Sequence, residues 1–112
     1  MNDNKNVIFG DTLRGYTEKI ILSILSNEDL YGYKINKIIE TRTNHSLIFN
    51  EATLYTTFQR LEKFGYITSY WVKNDNLPKK KYYAITKEGV SFLANCKFEW
   101  KRTKELIDLF LM

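Results

Sequence analysis

Apolar positions recur at helical spacing in three successive stretches, switch to a spacing of two, and return to helical spacing for the last quarter of the chain. From Asp11 to Ser26, the positions Leu13, Tyr16, Thr17, Ile20, Ile21, Ile24 and Leu25 predict a first helix, with Asp11 or Thr12 as its cap. Asn27, Glu28 and Asp29 break it. Tyr31, Ile35, Ile38 and Ile39 then predict a second helix running to about Thr43, with Lys34, Asn36, Lys37 and Glu40 on its outer side. The third stretch, Phe49 to Tyr66, places Leu54, Phe58 and Leu61 at i, i+4 and i+7, one narrow apolar stripe. Asn50 can accept from an early helical amide, and Gly65 stands where a left-handed residue would end the helix. Ala52, Thr53, Thr56, Gln59, Arg60 and Lys63 occupy the opposite side without a carboxylate, a face suited to a polyanion. Packed by one stripe, the same helix also fits an ordinary surface element.

After Gly65, Ile67, Ser69 and Trp71 alternate with Thr68, Tyr70 and Val72, which predicts a strand. Asn74 to Pro78 form a turn-rich tip, and Lys79 to Thr86 return as a second strand with Tyr83 and Ile85 facing one way. The result is a hairpin with a lysine-rich arm. Thr86 can cap a final helix from Lys87 to Phe110, with Glu88 favourably placed in its first turn. Within it Leu93, Cys96, Trp100, Thr103, Ile107 and Phe110 form a heptad seam, read as a homodimer interface. The fold class expected is therefore mainly α with a small β hairpin, in helix-turn-helix order, plus a long C-terminal dimerisation helix. Residues 1–10 are read as a flexible arm, either frayed or docked on a partner subunit; residues 11–86 as the helix-turn-helix and hairpin domain; residues 87–112 as the dimerisation helix.

Composition sharpens this reading only in part. A chain of 112 residues fits one domain, and 17 Lys and Arg against 13 Asp and Glu give a net charge of +4, which permits nucleic-acid binding without requiring it. Aromatic residues at 15% leave more apolar surface than one small core hides, favouring self-association. A single cysteine excludes an internal disulfide and fits a reducing cytoplasm, and no apolar run has signal-peptide or membrane-spanning length. His45 is alone in a loop, the carboxylates are scattered beside cations, and no glycine-rich phosphate loop or catalytic constellation is present. Neither an enzyme nor a cofactor or metal site is expected.

The segments LYGYKI from Leu30 to Ile35, EATLYTTFQRLEKFGYI from Glu51 to Ile67, SYW from Ser69 to Trp71 and KKKYYAITKEG from Lys79 to Gly89 resemble the PadR family of winged-helix transcriptional regulators. The short length, single C-terminal helix and tryptophan within it are similar to the multidrug-sensing repressors of its smaller subfamily. The resemblance implies a winged helix-turn-helix dimer whose third helix enters the major groove while the β wing lies along flanking phosphates. It also implies that paired tryptophans on the last helices flank a site where flat aromatic effectors stack, a place matched here by Trp100. The chain departs from the family pattern at Pro78, Lys79 and Lys80, where glycine and arginines are common, and at Thr56, often proline. Lysine offers a point charge in place of the planar fork of arginine.

The partner expected is a double-stranded DNA operator of pseudo-palindromic form. Thr53, Thr56, Gln59 and Arg60 are the base-reading candidates, since Gln pairs with adenine and Arg with guanine. Tyr31, Tyr33, Lys34, Lys37, Tyr55, Lys63, Lys79, Lys80, Lys81 and Tyr82 are the candidates for phosphate contact, each tyrosine having packing as its alternative role. Trp100 is the effector-binding candidate, with Cys96, Phe98 and Asp108 as company; its alternative is simple dimer packing. The competing function is a dimeric winged-helix adaptor for protein partners, and RNA binding is weaker because an A-form major groove excludes the third helix.

Overall fold

The computed structural model describes Leu13 and residues 15–112; the expected arm at residues 1–10 and the caps expected at Asp11 and Thr12 lie outside the described residues. Helices α1 (Thr17–Leu25), α2 (Gly32–Arg42), α3 (Glu51–Lys63) and α4 (Lys87–Leu111) and strands β1 (Leu30–Tyr31), β2 (Ile67–Val72) and β3 (Lys80–Ile85) follow one another in the order α1-β1-α2-α3-β2-β3-α4. The first helix is shorter than its periodicity predicts. Gly15 adopts φ 89°, in the left-handed region that glycine enters without steric penalty, and the packed helix starts two residues later.

The three helices α1 to α3 bury one stripe each into a common core. Ile21, Leu22 and Leu25 of α1, Ile35 of α2 and Leu61 of α3 are the side chains most completely removed from water. Leu54 and Phe58 join Leu61 as expected, and Thr57 is buried beside them because its hydroxyl donates to the Thr53 carbonyl at 2.7 Å. A buried hydroxyl satisfied within its own helix costs the core little.

The turn between α2 and α3 is held by Asn36, which faces inward toward Phe49 and not outward as the α2 periodicity suggests. Its Nδ2 donates to the Phe49 carbonyl at 2.6 Å, and its Oδ1 accepts from the Phe49 amide at 3.2 Å. That pair sets the chain's entry into α3. Asn36→Ala leaves a partly buried amide and carbonyl unpaired, so a loss of about 1–3 kcal/mol in unfolding free energy is expected; urea unfolding of the variant checks it.

Helix α3 starts and stops as its sequence predicts. The Asn50 side chain accepts from the Thr53 amide at 2.7 Å, and Gly65 at φ 79° closes the end, with the Tyr66 amide donating to the Leu61 carbonyl at 2.9 Å. The chain then enters β2, which pairs antiparallel with β3 from Ile67↔Ile85 to Val72↔Lys80. Lys73 closes the tip by donating to the carbonyls of Asp75 and Leu77.

The sheet has a third strand that periodicity does not reveal. Leu30 and Tyr31 pair antiparallel with Tyr83 and Tyr82, giving the order β1-β3-β2. Tyr31 therefore belongs to a strand, and α2 begins after it at Gly32. Helix α4 begins at the Thr86 cap, whose hydroxyl oxygen accepts from the Gly89 amide at 3.0 Å while donating to the Gly65 carbonyl at 2.6 Å. One threonine thus joins the start of α4 to the end of α3. Gly89 faces the Tyr66 carbonyl at a separation that leaves no room for a Cβ.

Candidate nucleic-acid interface

The α3 side chains divide into three faces. Opposite the buried stripe stand Ala52, Thr56, Gln59 and Lys63, all exposed, with no carboxylate among them. Thr53 and Arg60 lie on the flank toward α1, where Arg60 Nε donates to Glu18 Oε2 at 3.0 Å. Tyr55 lies on the other flank. The structure thus brings three of the four base-reading candidates, Thr53, Thr56 and Gln59, to an accessible surface, and draws Arg60 aside into an ion pair.

The Tyr55 flank opens into a cleft of about 720 Å³ between α2, α3 and the sheet. Tyr31, Tyr33, Lys37, Tyr55, Lys80 and Lys81 line it, so six of the expected phosphate contacts share one surface. Glu40 and Glu51 also line it and temper its charge. Glu40 is already engaged by Lys37 at 3.8 Å and by His45 Nδ1 at 2.8 Å. His45 is therefore an exposed hydrogen-bond partner of Glu40, just past the end of α2. Lys34 and Lys63 are exposed outside the cleft, on α2 and α3.

The lysines of the β3 arm stand over aromatic rings. Lys79 Nζ is 5.4 Å from the Trp71 ring centre, Lys80 Nζ 4.3 Å from Tyr31 and Lys81 Nζ 5.7 Å from Tyr83. Alternation along β3 puts Tyr83 on the inner face, where it stacks on Phe58 at 4.1 Å, and Tyr82 on the outer face. Tyr82 is accordingly withdrawn from the α3 side. It forms an outer row with Tyr31 at 5.3 Å and Tyr70 at 5.8 Å. Sequence patterning missed this row because one of its members sits in β1. Tyr70 donates to Asp29 at 2.6 Å, and that hydrogen bond, followed by desolvation, raises its pKa above the usual 10.0. Ser69, one residue earlier, donates to Glu62 of α3 at 2.8 Å. The hairpin is thereby fixed to the turn before β1 and to α3.

The first half of α4 packs on α1 and β3. Leu93 and Cys96 are 5% and 4% exposed within the single chain, and burial pushes the Cys96 thiol above its ordinary pKa. These two positions are removed from the expected dimer seam, since their surface is already covered by the same chain. A heptad spacing marks an apolar face without saying which partner covers it. Trp100, Ile107 and Phe110 remain exposed, as do Thr103 and the neighbouring Leu106, Leu109 and Leu111.

Trp100 meets Tyr16 edge to face at 5.7 Å and borders a groove of about 550 Å³ between α1 and α4. Leu13, Ile20, Leu93 and Cys96 supply its apolar wall, and Lys19 and Lys97 its cationic rim. Cys96 thus accompanies Trp100 as expected; Phe98 and Asp108 do not. Phe98 is two residues from Trp100, about 200° around the helix, and Asp108 is two turns further along, paired with Lys104 at 3.5 Å.

Helix-turn-helix order, an exposed polar α3 face and a lysine-bearing β2–β3 wing together describe a winged helix. The model of the transcriptional regulator PadR-like family matches residues 21–95. The chain belongs to the PadR family. Its members are transcriptional regulators and not enzymes. An uncharacterized protein of Lysinibacillus sphaericus is 43% identical over 94% of this chain and 96% of its own length. A transcriptional regulator from Clostridium thermocellum is similar in structure with TM-score 0.85 and 42% identity, covering 92% of this chain and all of that one. A PadR family transcription regulator from Clostridium difficile R20291 gives TM-score 0.79 and 36% identity over 88% of this chain and all of its own. Among the described residues no helix is long and apolar enough to cross a membrane, and no three His, Cys, Asp or Glu groups gather as metal ligands.

Proposed function

We propose that this PadR-family chain is a homodimeric repressor that binds a pseudo-palindromic DNA operator, with α3 in the major groove and the wing along the flanking phosphates. The observation that carries the proposal is the α3 face of Ala52, Thr56, Gln59 and Lys63, exposed, free of carboxylates and bordered by lysines of α2 and β3. Thr53, Thr56 and Gln59 read base edges; Tyr33, Lys34, Lys37, Tyr55, Lys63 and the arm Lys79 to Lys81 hold phosphates. The free half of α4, from Trp100 to Phe110, joins two copies. Two-fold symmetry then sets the half-sites roughly 34 Å apart, one helical turn.

Release of the operator is assigned to a planar aromatic molecule in the groove beside Trp100. The two ammonium groups on its rim, with no carboxylate among the described lining residues, favour an aromatic acid over a cationic dye.

Thr56→Ala combined with Gln59→Ala tests the DNA reading. A bidentate base contact of the kind Gln59 can make contributes about 1–3 kcal/mol of discrimination, so preference for a duplex selected from a randomised pool over a scrambled one should fall at least about 5- to 150-fold. The dimer should persist in sedimentation. Wild-type affinity should fall with salt at a log–log slope of about −5 to −7. An unchanged preference, or a flat salt response, would instead favour the protein-interaction adaptor.

A further inference from the structure

Arg60 is the arginine of α3, and its Nε is held by Glu18 of α1 across 42 residues of sequence. The carboxylate belongs to the first turn of α1, the helix anchored by the buried Ile21, Leu22 and Leu25. Both side chains stay accessible, Arg60 at 45% and Glu18 at 25%, so the pair is open to solvent along one edge. A guanidinium carries five N–H donors in a rigid plane. The contact with Glu18 occupies Nε, which leaves four on the two terminal nitrogens. A stem gripped at Nε keeps those four in one direction relative to α3. Arg60 stands in the last turn of α3, away from the N-terminal residues of a recognition helix that reach base edges, so on this flank the group its donors meet is a phosphate oxygen of the groove wall.

We infer that Glu18 is a positioning residue for DNA binding: by accepting from Nε it aims the terminal N–H groups of Arg60 at a backbone phosphate on the α1 side of α3. The inference rests on the DNA-binding reading above. It makes an acidic residue near a polyanion favourable for binding, opposite in sign to what charge alone dictates. A carboxylate that merely sits close to phosphates repels them, and its removal strengthens binding. A carboxylate that holds an arginine in place weakens binding when lost, because the freed side chain must be ordered again before it can pair.

The test is a double-substitution cycle on the full chain, measured by fluorescence anisotropy against a duplex selected from a randomised pool and against a scrambled duplex. Glu18→Ala should weaken both duplexes about three- to tenfold and reduce the salt slope by about 1, as Arg60→Ala does. In the Arg60→Ala background the same substitution should cause no loss. Glu18→Gln, which keeps an oxygen acceptor for Nε without the charge, should bind within about twofold of the parent. Equal or tighter binding by Glu18→Ala, or the same loss with and without Arg60, overturns the positioning role. So does a lower melting temperature with unchanged DNA affinity. A parent chain that binds neither duplex overturns the DNA-binding reading itself.

Discussion

Gly89→Ala is expected to lower the melting temperature by about 10–20 °C, a loss of about 3 kcal/mol in a domain of this size. A Cβ at that position overlaps the Tyr66 carbonyl and comes within 2.7 Å of the Ile85 side chain. Neither neighbour gives way easily. The Tyr66 carbonyl already accepts from the Thr86 amide at 3.0 Å, and Ile85 is paired with Ile67 across the sheet. Relief requires α4 to lift from the end of α3, which also strains the Thr86 hydroxyl bridge to Gly65. Differential scanning calorimetry measures the loss, and a shift below about 3 °C would show that the junction has slack.

Ile107→Glu together with Phe110→Glu is expected to leave a folded monomer that binds an inverted-repeat duplex at least about a hundredfold more weakly, while a single half-site binds as before. Both positions stand exposed on the free half of α4, beyond the part that packs on α1, so the core is untouched. Four facing carboxylates at a two-fold interface combine repulsion with lost apolar burial. Analytical ultracentrifugation gives the mass, and gel shift on whole and half sites separates lost avidity from a damaged reading head. A dimer that survives both substitutions would place the interface elsewhere.

The features readable in the sequence are those set by neighbours a few residues away. The Asn50 and Thr86 caps, the Gly65 stop, the Leu54–Phe58–Leu61 stripe and the β2–β3 hairpin all follow from local spacing, and the structure has each of them. What escaped depends on contacts between distant segments. A strand of two residues, Leu30–Tyr31, is too short to show alternation. Asn36 looks like a solvent-facing polar residue until Phe49 is brought to it. Gly15 sits inside a continuous apolar period and still breaks the helix. In α4, Leu93 and Cys96 share one periodicity with Ile107 and Phe110, yet the first pair meets the chain's own core and the second pair meets solvent. Within the candidate interface, residue types selected the right surface of α3, but only the fold reveals that Arg60 leans on Glu18 and that Tyr82 turns to the outer side of the sheet.

The two residue pairs of β1 with β3 also bear on how the molecule opens. They join the strand that leads directly into α2 to the base of the wing across some fifty positions of sequence, Leu30 to Tyr83 and Tyr31 to Tyr82. Closing so long a loop is entropically slow, which places this junction late in folding. Once closed, the wing base cannot fray without releasing the start of α2. Amide hydrogens in the two segments should therefore exchange with solvent deuterium at a common rate, as one cooperative unit, although a map of the chain would put them at opposite ends of the domain.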